Sequence, residues 1–552
     1  MRAPGARGKP EHLEIGATFL AVRPAANSLG ADNSKSRFQS LSKWPSYLRA
    51  LVGSPCPKAR VADTSKPGRV AVKRIFVSAV KGAGLCLALS VGSVASATAQ
   101  MTDLDYQLAY QRGIEAVLWS MPAISIRELQ EAAFKDYGVT WSDVILWSRP
   151  AVPRHELLTA NNQVPYALTF LNLRQGPVVV EIPAAGAKAL LFGSFVDNWQ
   201  APVVDVGPSG TDEGRGGKYL FLPPGYSEPV PDGYIPVRME GYVVAGGLRP
   251  VPANRGTAAD AHSYAQQMKV YPLADAAAPK PTRFVDGYPK PFHSLPVYDA
   301  SWFRELAAMV NEEPVRERDK VMMGMLASIG IERGMPFQPD ARMQKALAAA
   351  MADARRMMQH YFETPGRALA PWWQGSQWSA LSPAALRLAS EFTYETDDAL
   401  WIDARAGGLF YWATFLPKKL GGGTFYLMDL RDSAGQLFDG QATYRLHVPA
   451  IVPAKDFWSA VVYDVNTKAF VCAGPCDSAD NRVGLSSFDK PTMKRNGDGS
   501  VDLYFGPKAP PGFEKNWVTT AGKNFFLIFR LYGPEKAFFD KTWKLPEVEK
   551  VL

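Results

Sequence analysis

Residues 166–173, YALTFLNL, and 177–182, PVVVEI, decide how the chain is read. Each is a short run of β-branched, aromatic and leucine side chains. Arg174-Gln175-Gly176 separates them. Runs of this kind bounded by turn residues predict strands. Further strands are predicted at 189–195 (ALLFGSF), 218–222 (KYLFL) and 234–247 (YIPVRMEGYVVAGG), divided by Pro and Gly clusters. Upstream, Leu104, Leu108, Ile114, Val117 and Leu118 recur at helical spacing over 103–120, and Pro122 is expected to stop that helix.

Downstream the period changes twice. Residues 274–298 are Pro- and Ala-rich and read as a linker or surface crossing. Residues 299–361 turn helical, with Asp299 or Ser301 as a cap. Met343, Leu347, Met351, Ala354, Met358 and Tyr361 form a stripe that reads as core packing. Further helices are expected near 380–391 and 397–412. From 423 onward strands return, at 424–430, 441–448, 458–464, 468–472, 500–505 and 524–532. The fold class is therefore α+β and β-rich. We expect a β-sandwich-like domain over 100–295, a helical middle region over 296–395, and a jelly-roll-like β-sandwich over 396–552.

The first hundred residues belong to a different class. Lys73, Arg74 and Lys81, the apolar run 83–91 (AGLCLALSV) and Ala97-Thr98-Ala99 appear in the order of a secretory signal, with cleavage between Ala99 and Gln100. The apolar run is too short to span a bilayer. Residues 72–99 thus read as a signal peptide. Residues 1–71 read as a disordered or non-native extension, with the true start near Val70 or Val72. The alternative is a disordered arm followed by a buried apolar helix. Residues 1–99 hold 15 Lys/Arg and 4 Asp/Glu, so without them the formal charge moves from +8 to −3. A basic balance is then no argument for nucleic acid, and no nucleic-acid partner is expected. The expected product is soluble, periplasmic or secreted, and not inserted in a membrane after cleavage; the sequence leaves its oligomeric state open.

Cys56 and Cys86 leave with the leader, and Cys472-Ala-Gly-Pro-Cys476 remains. Gly474-Pro475 can turn the chain back, so an oxidising compartment favours a disulfide. Two free thiols or a redox pair are the alternatives, the latter without the Cys-x-x-Cys spacing.

The order of motifs resembles a bacterial family that joins two domains of unknown function, number 1254 N-terminally and number 1214 C-terminally. The resemblance rests on 171–183 (LNLRQGPVVVEIP), 191–200 (LFGSFVDNWQ) and 205–226 (DVGPSGTDEGRGGKYLFLPPGY). It continues through 439–449 (DGQATYRLHVP), Phe457-Trp458-Ser459, Tyr463-Asp464, Arg530-Leu531-Tyr532-Gly533-Pro534 and Trp543-Lys544-Leu545-Pro546. The family commonly carries Asn-x-Asp-Thr-x-Tyr before the GPVV strand, where this chain has Asn161-Asn162-Gln163-Val164-Pro165-Tyr166. A role for that Asp as acid, base or metal ligand has no carboxylate to rest on here. The resemblance implies two β-rich domains around a helical middle, commonly exported, and no settled activity.

Candidate chemistry is sparse. Gly214-Arg215-Gly216-Gly217-Lys218 precedes a strand and lacks the Walker spacing; it reads as a hairpin lead-in, or as an anion-lining loop with Arg215 and Lys218. No two histidines sit at metal-ligand spacing, and neither metal nor cofactor is expected. Arg445 and His447 share one strand face, a pair able to bind a carboxylate or move protons, though a structural ion pair and a solvated His is the commoner outcome. Trp372, Trp373 and Trp378 read equally as an aromatic ligand wall or as core. The expectation is a metal-independent hydrolase or lyase acting on a small organic molecule or glycan. His447, Arg445 and Asp197 are its candidate catalytic groups. Arg215, Lys218, Arg530, Tyr532 and the three tryptophans are candidate ligand contacts. The alternative is a non-catalytic ligand-binding or envelope-interaction protein.

Overall fold

The computed structural model describes residues 101–364, 366–367, 369–381, 393–413, 417–418, 423–476 and 481–551. The leader, the signal-like stretch with Ala99 and Gln100, and most of the helix expected at 380–391 lie outside the described residues.

The quoted stretch crosses between two sheets. Ala167–Asn172 lies in a six-stranded sheet, ordered Phe284–Val285, Val144–Leu146, Ala167–Asn172, Val243–Pro252, Ala189–Asp197, Pro202–Val206. Val178–Ile182 lies in a four-stranded sheet with Lys269–Pro272, Gly217–Leu222 and Tyr234–Arg238. A 3-10 turn at Leu173–Gln175 carries the chain across. Val180, Tyr219 and Phe221 of the small sheet meet Leu171, Phe195 and Val244 of the large one in a shared core. The single strand expected over 234–247 is two strands. The turn between Arg238 and Val243 sends Tyr234–Arg238 to the small sheet and Val243–Pro252 to the centre of the large one.

A second sandwich forms from 370 onward. Its six-stranded sheet runs Ala370–Pro371, Ser379–Ala380, Thr424–Asp429, Phe525–Pro534, Ala454–Asp464, Gly484–Ser486. Its four-stranded sheet runs Trp517–Thr519, Val501–Gly506, Tyr444–Val448, Glu549–Lys550. Leu427, Trp458 and Phe529 pack against Leu446, Leu503 and Phe505 between them. The strand expected at 468–472 is reduced to one bridge, Tyr463 to Phe470, because the chain reverses at Lys468 with φ +59°. None of these sheets closes into a barrel.

The described helices of more than one turn are α1 (Asp103–Tyr137), α2 (Ala258–Ala265), α3 (Ser301–Glu312), α4 (Lys320–Ala327), α5 (Ala341–Glu363) and α6 (Ile402–Leu409). The α5 stripe is packing, with Leu347, Met351, Ala354 and Met358 buried. It lies along α1, where a Cβ on Gly113 would stand 2.7 Å from that of Ala350, so only glycine allows the approach. Helices α1 and α3 to α6 and one face of each six-stranded sheet enclose a third core, while α2 packs into the N-terminal sandwich.

Pro122 does not end α1. A proline inside a helix removes one N–H and pushes against the preceding turn, freeing carbonyls there. Remote donors hold the helix on both sides of the proline. Arg405 Nη2 donates to the Trp119 carbonyl at 2.8 Å, and Gln200 Nε2 donates to the Pro122 carbonyl at 2.8 Å. Ser120 Oγ donates to Ala116 O and accepts from Trp302 Nε1. The helix then runs to Gly138, which closes it in the left-handed conformation at φ +64°.

Candidate functional site

The C-terminal six-stranded sheet has two unlike faces. Leu427, Phe529 and Leu531 alternate into the sandwich core. Tyr426, Arg530 and Tyr532 point the other way, toward the core shared with the N-terminal half. Register sets the pairing: Tyr426 stands opposite Arg530, Thr424 opposite Tyr532, and Arg530 opposite Ser459 on its other side.

Arg530 is 2% exposed. Its Nη2 donates to the carbonyls of Thr159 (3.0 Å) and Ala160 (3.3 Å) and to the Tyr463 hydroxyl (2.6 Å). Its Nε and Nη1 have no hydrogen-bond partner among the described residues. The guanidinium carbon lies 5.0 Å from the Tyr426 ring centre and 5.6 Å from that of Tyr463. Arg249, buried on the central strand of the N-terminal sheet, lies 4.4 Å over the ring of Tyr166. Asn161 ties the two halves together. Its Nδ2 donates to the Tyr532 hydroxyl at 2.6 Å, and its backbone N–H donates to the Tyr166 hydroxyl at 2.6 Å. Its Oδ1 accepts the N–H groups of Gln163 and Val164. The two residues where the chain departs from the family pattern thus contribute backbone, while Asn161 and Tyr166 contribute side chains.

Electrostatics separate the phenols. Burial drives the Arg530 guanidinium toward neutrality, but the oxygens of Tyr463, Tyr532 and Tyr426 outweigh it and hold the charge. Arg249 stays charged against burial through Tyr166 and Tyr426. Burial pushes the Tyr426 phenol up, yet Arg249 and Arg530 together bring it below the ordinary tyrosine value. Burial raises Tyr532, with the neighbouring Tyr426 adding to the rise. Of the seven residues Asn161, Tyr166, Arg249, Tyr426, Tyr463, Arg530 and Tyr532, only Tyr426 is partly exposed. A lowered phenol beside two cations thus stands diagonal to a raised one on the same sheet face.

The other candidates do not join this site. Asp197 is buried, and its carboxylate takes Arg316 Nη2 at 2.6 Å and the N–H groups of Trp199 and Ala201. Arg445 pairs with Glu549 at 2.6 Å and His447 with Asp502 at 2.8 Å on the outer face of the four-stranded sheet. The proposed trio therefore falls into three separate pairs, each with its own partner. Arg445→Ala and His447→Ala should each cost less than about 1 kcal/mol in urea denaturation, because the two side chains removed are 39% and 41% exposed. Arg215 pairs with Glu213 at the surface, and Lys218 lies 3.7 Å from Glu181. Their loop is shaped by Asp212, which accepts from Gly207 N, Gly216 N and the Tyr219 hydroxyl. A Cβ on Gly216 would meet the Ile182 carbonyl at 2.5 Å, and its φ is +71°. The aromatic wall is packing: Trp378 is fully buried with Nε1 on Pro546 O, and Trp372 and Trp373 pack on Phe538. Cys472 and Cys476 lie at disulfide distance, 2.16 Å between sulfurs.

Comparison with known proteins accords with this two-part architecture. Residues 143–272 match the family described as protein of unknown function (DUF1254), and residues 423–536 match the one described as protein of unknown function (DUF1214). The chain carries one domain of each family, in that N-to-C order. The solved VPA0106 protein from Vibrio parahaemolyticus is similar over 81% of this chain and 100% of its own, at 19% identity and a TM-score of 0.50, a likeness of fold. An uncharacterized protein from Burkholderia cenocepacia covers 81% of this chain and 95% of its own at 12% identity and a TM-score of 0.35. No curated protein matches.

Proposed function

We propose that the protein is an exported, metal-independent acid–base enzyme that holds an anionic group of a small organic molecule or glycan at Arg249 and Arg530. Tyr426 takes the proton and Tyr532 returns one. The observation that carries this reading is Arg530, a buried cation whose Nε and Nη1 find no hydrogen-bond partner among the described residues while phenols surround it. Unbonded donors on a buried charge are costly, and an anion is the group that satisfies both the donors and the charge. The ordered n-region, apolar run and Ala-Thr-Ala support export to the periplasm or medium.

Two measurements test the reading. In a phenolate absorbance titration the first tyrosine to ionise should do so below the ordinary range, and Tyr426→Phe should remove that step. Acetate or inorganic phosphate should raise the melting temperature of the parent, by the equivalent of about 2.7 kcal/mol at a hundred times the dissociation constant. Arg530→Gln should lose that rise. If neither anion stabilises the parent, the site is only a clamp on Thr159 and Ala160. Binding without turnover, the alternative, would keep the anion effect in Tyr426→Phe and show no activity in any variant.

A further inference from the structure

A cleft in the N-terminal half shares no residue with the Arg530 centre. It lies between the second half of α1, the end of α3 and the start of the Val243–Pro252 strand, and holds about 310 Å³ counting the solvent at its mouth. Asn198 and Glu313 form its polar part and are 5% and 7% exposed. Each is fixed by one atom. Glu313 Oε2 accepts the Tyr242 N–H at 2.7 Å, and Asn198 Oδ1 accepts from Arg316 Nη2 at 3.3 Å. The bond from Arg316 also decides which end of the amide carries the oxygen. Both side chains close over Gly241, where a Cβ would stand 2.7 Å from Glu313 Oε2 and 2.9 Å from Asn198 Oδ1. The second atom of each is unused. Asn198 Nδ2 and Glu313 Oε1 are buried and make no hydrogen bond among the described residues. One is a donor and the other, in the carboxylate form, an acceptor. Leaving two such atoms unbonded is costly, so the cleft favours a group that serves both.

Charge and shape narrow the class. The guanidiniums nearby are committed. Arg127 is shared by Glu131, Glu305 and Glu312, Arg174 lies 3.7 and 3.8 Å from Glu312 and Glu313, and Arg316 pairs with Asp197 and Glu240. Arg333 donates to the carbonyls of Val310 and Glu313. Carboxylates outnumber these cations, so an anion finds no unpaired positive charge. An ammonium brings donors only and would leave Asn198 Nδ2 unbonded. A hydroxyl both donates and accepts. Water does the same, but it gains nothing from Ile126, Val243 and Met309, which line the same cleft. A carbon-bound hydroxyl answers the polar atoms with its oxygen and covers those side chains with its carbons.

We infer that this cleft binds a neutral polyhydroxylated molecule, a sugar or cyclic polyol, through hydroxyls that accept from Asn198 Nδ2 and donate to Glu313 Oε1. Gln130, half-buried on α1 at the same cleft, offers its amide to a neighbouring hydroxyl. No bond is made or broken there. The inference stands apart from the acid–base reading of the Arg530 centre.

Equilibrium dialysis of the full chain against tritiated glucose, galactose, mannose and myo-inositol tests it. At least one should bind. Glu313→Gln keeps an oxygen for the Tyr242 N–H and can turn a donor toward the ligand in place of the acceptor. It should weaken binding at least about ten-fold, with an unchanged circular dichroism spectrum. Gln130→Ala, at a partly exposed position, should weaken it a few-fold and serves as the second variant should the first fail to fold. Ethanolamine and acetamide should not compete, and the melting shift with acetate should be the same in Glu313→Gln as in the parent. Binding of none of the four, or binding that both variants leave unchanged, would reduce the cleft to a water site and overturn the inference. Competition by ethanolamine or acetamide would overturn the hydroxyl assignment. Binding lost in Arg530→Gln and kept in Glu313→Gln would place the sugar at the Arg530 centre, overturning this inference and leaving the earlier reading intact.

Discussion

Lys468→Met is expected to stabilise the protein by a few kcal/mol at pH 6 and to change little at pH 10. Lys468 is 1% exposed, and its ammonium rests on Gln359 and the faces of Phe362 and Phe410, 3.9 Å from the latter ring centre. Burial first, and then the Arg355 charge, bring its pKa from 10.5 down to about 7, while Glu363 and Asp464 pull the other way. Between those two values the unfolded chain binds a proton that the folded chain does not. Stability should therefore rise with pH across that window, by about 1.4 kcal/mol per unit from this group. Above 10.5 the lysine is neutral in both states and carries no penalty. Below 7 it is charged in both, and the whole desolvation cost falls on the folded state. Urea denaturation of parent and variant at pH 6 and 10 measures the difference. An equal effect at the two pH values would show that the lysine acts through packing alone.

Asp197→Ala should be the most damaging single change among the residues that the sequence marks as candidate chemistry. Removing the carboxylate leaves Arg316 buried with the exposed Glu240 and the neutral Asn198 Oδ1, each at 3.3 Å, and frees the N–H groups of Trp199 and Ala201. Breaking one side of a buried pair costs about 3–5 kcal/mol. Arg316→Met should restore part of the loss in the double variant, since the stranded charge is then gone. A catalytic Asp197 would behave otherwise, with turnover lost and the denaturation midpoint kept.

The strands were legible because alternation and turn residues are local. Residues 166–173 and 177–182 need only their own side chains to be read. Pro122 misled because its compensation comes from Arg405 and Gln200, which no window around residue 122 contains. The segment 234–247 misled because one apolar pattern serves two different sheets. In the site, Arg530 and Tyr532 were visible as a motif, but Tyr426 was not. Its importance comes from register, which sets it against a strand about a hundred residues later. Tyr463 stood in the Tyr463-Asp464 motif without a role, Arg249 was missed, and the alternation of 424–430 was the one local hint to Tyr426. Arg445, His447 and Asp197 were grouped by residue type, whereas Glu549, Asp502 and Arg316 decide what each of them does.

The bond from Arg405 to the Trp119 carbonyl joins residues 286 apart in sequence. Until α6 exists, the turn of α1 around Pro122 lacks its donor, and the second half of that helix has little reason to persist. A fragment ending near residue 400 should therefore show a frayed helix beyond Pro122 and open to protease there. The final strands would be needed as well, because Thr159 and Ala160 rest on Arg530. Folding on such long-range closures is slow and favours one cooperative transition over separate melting of two halves.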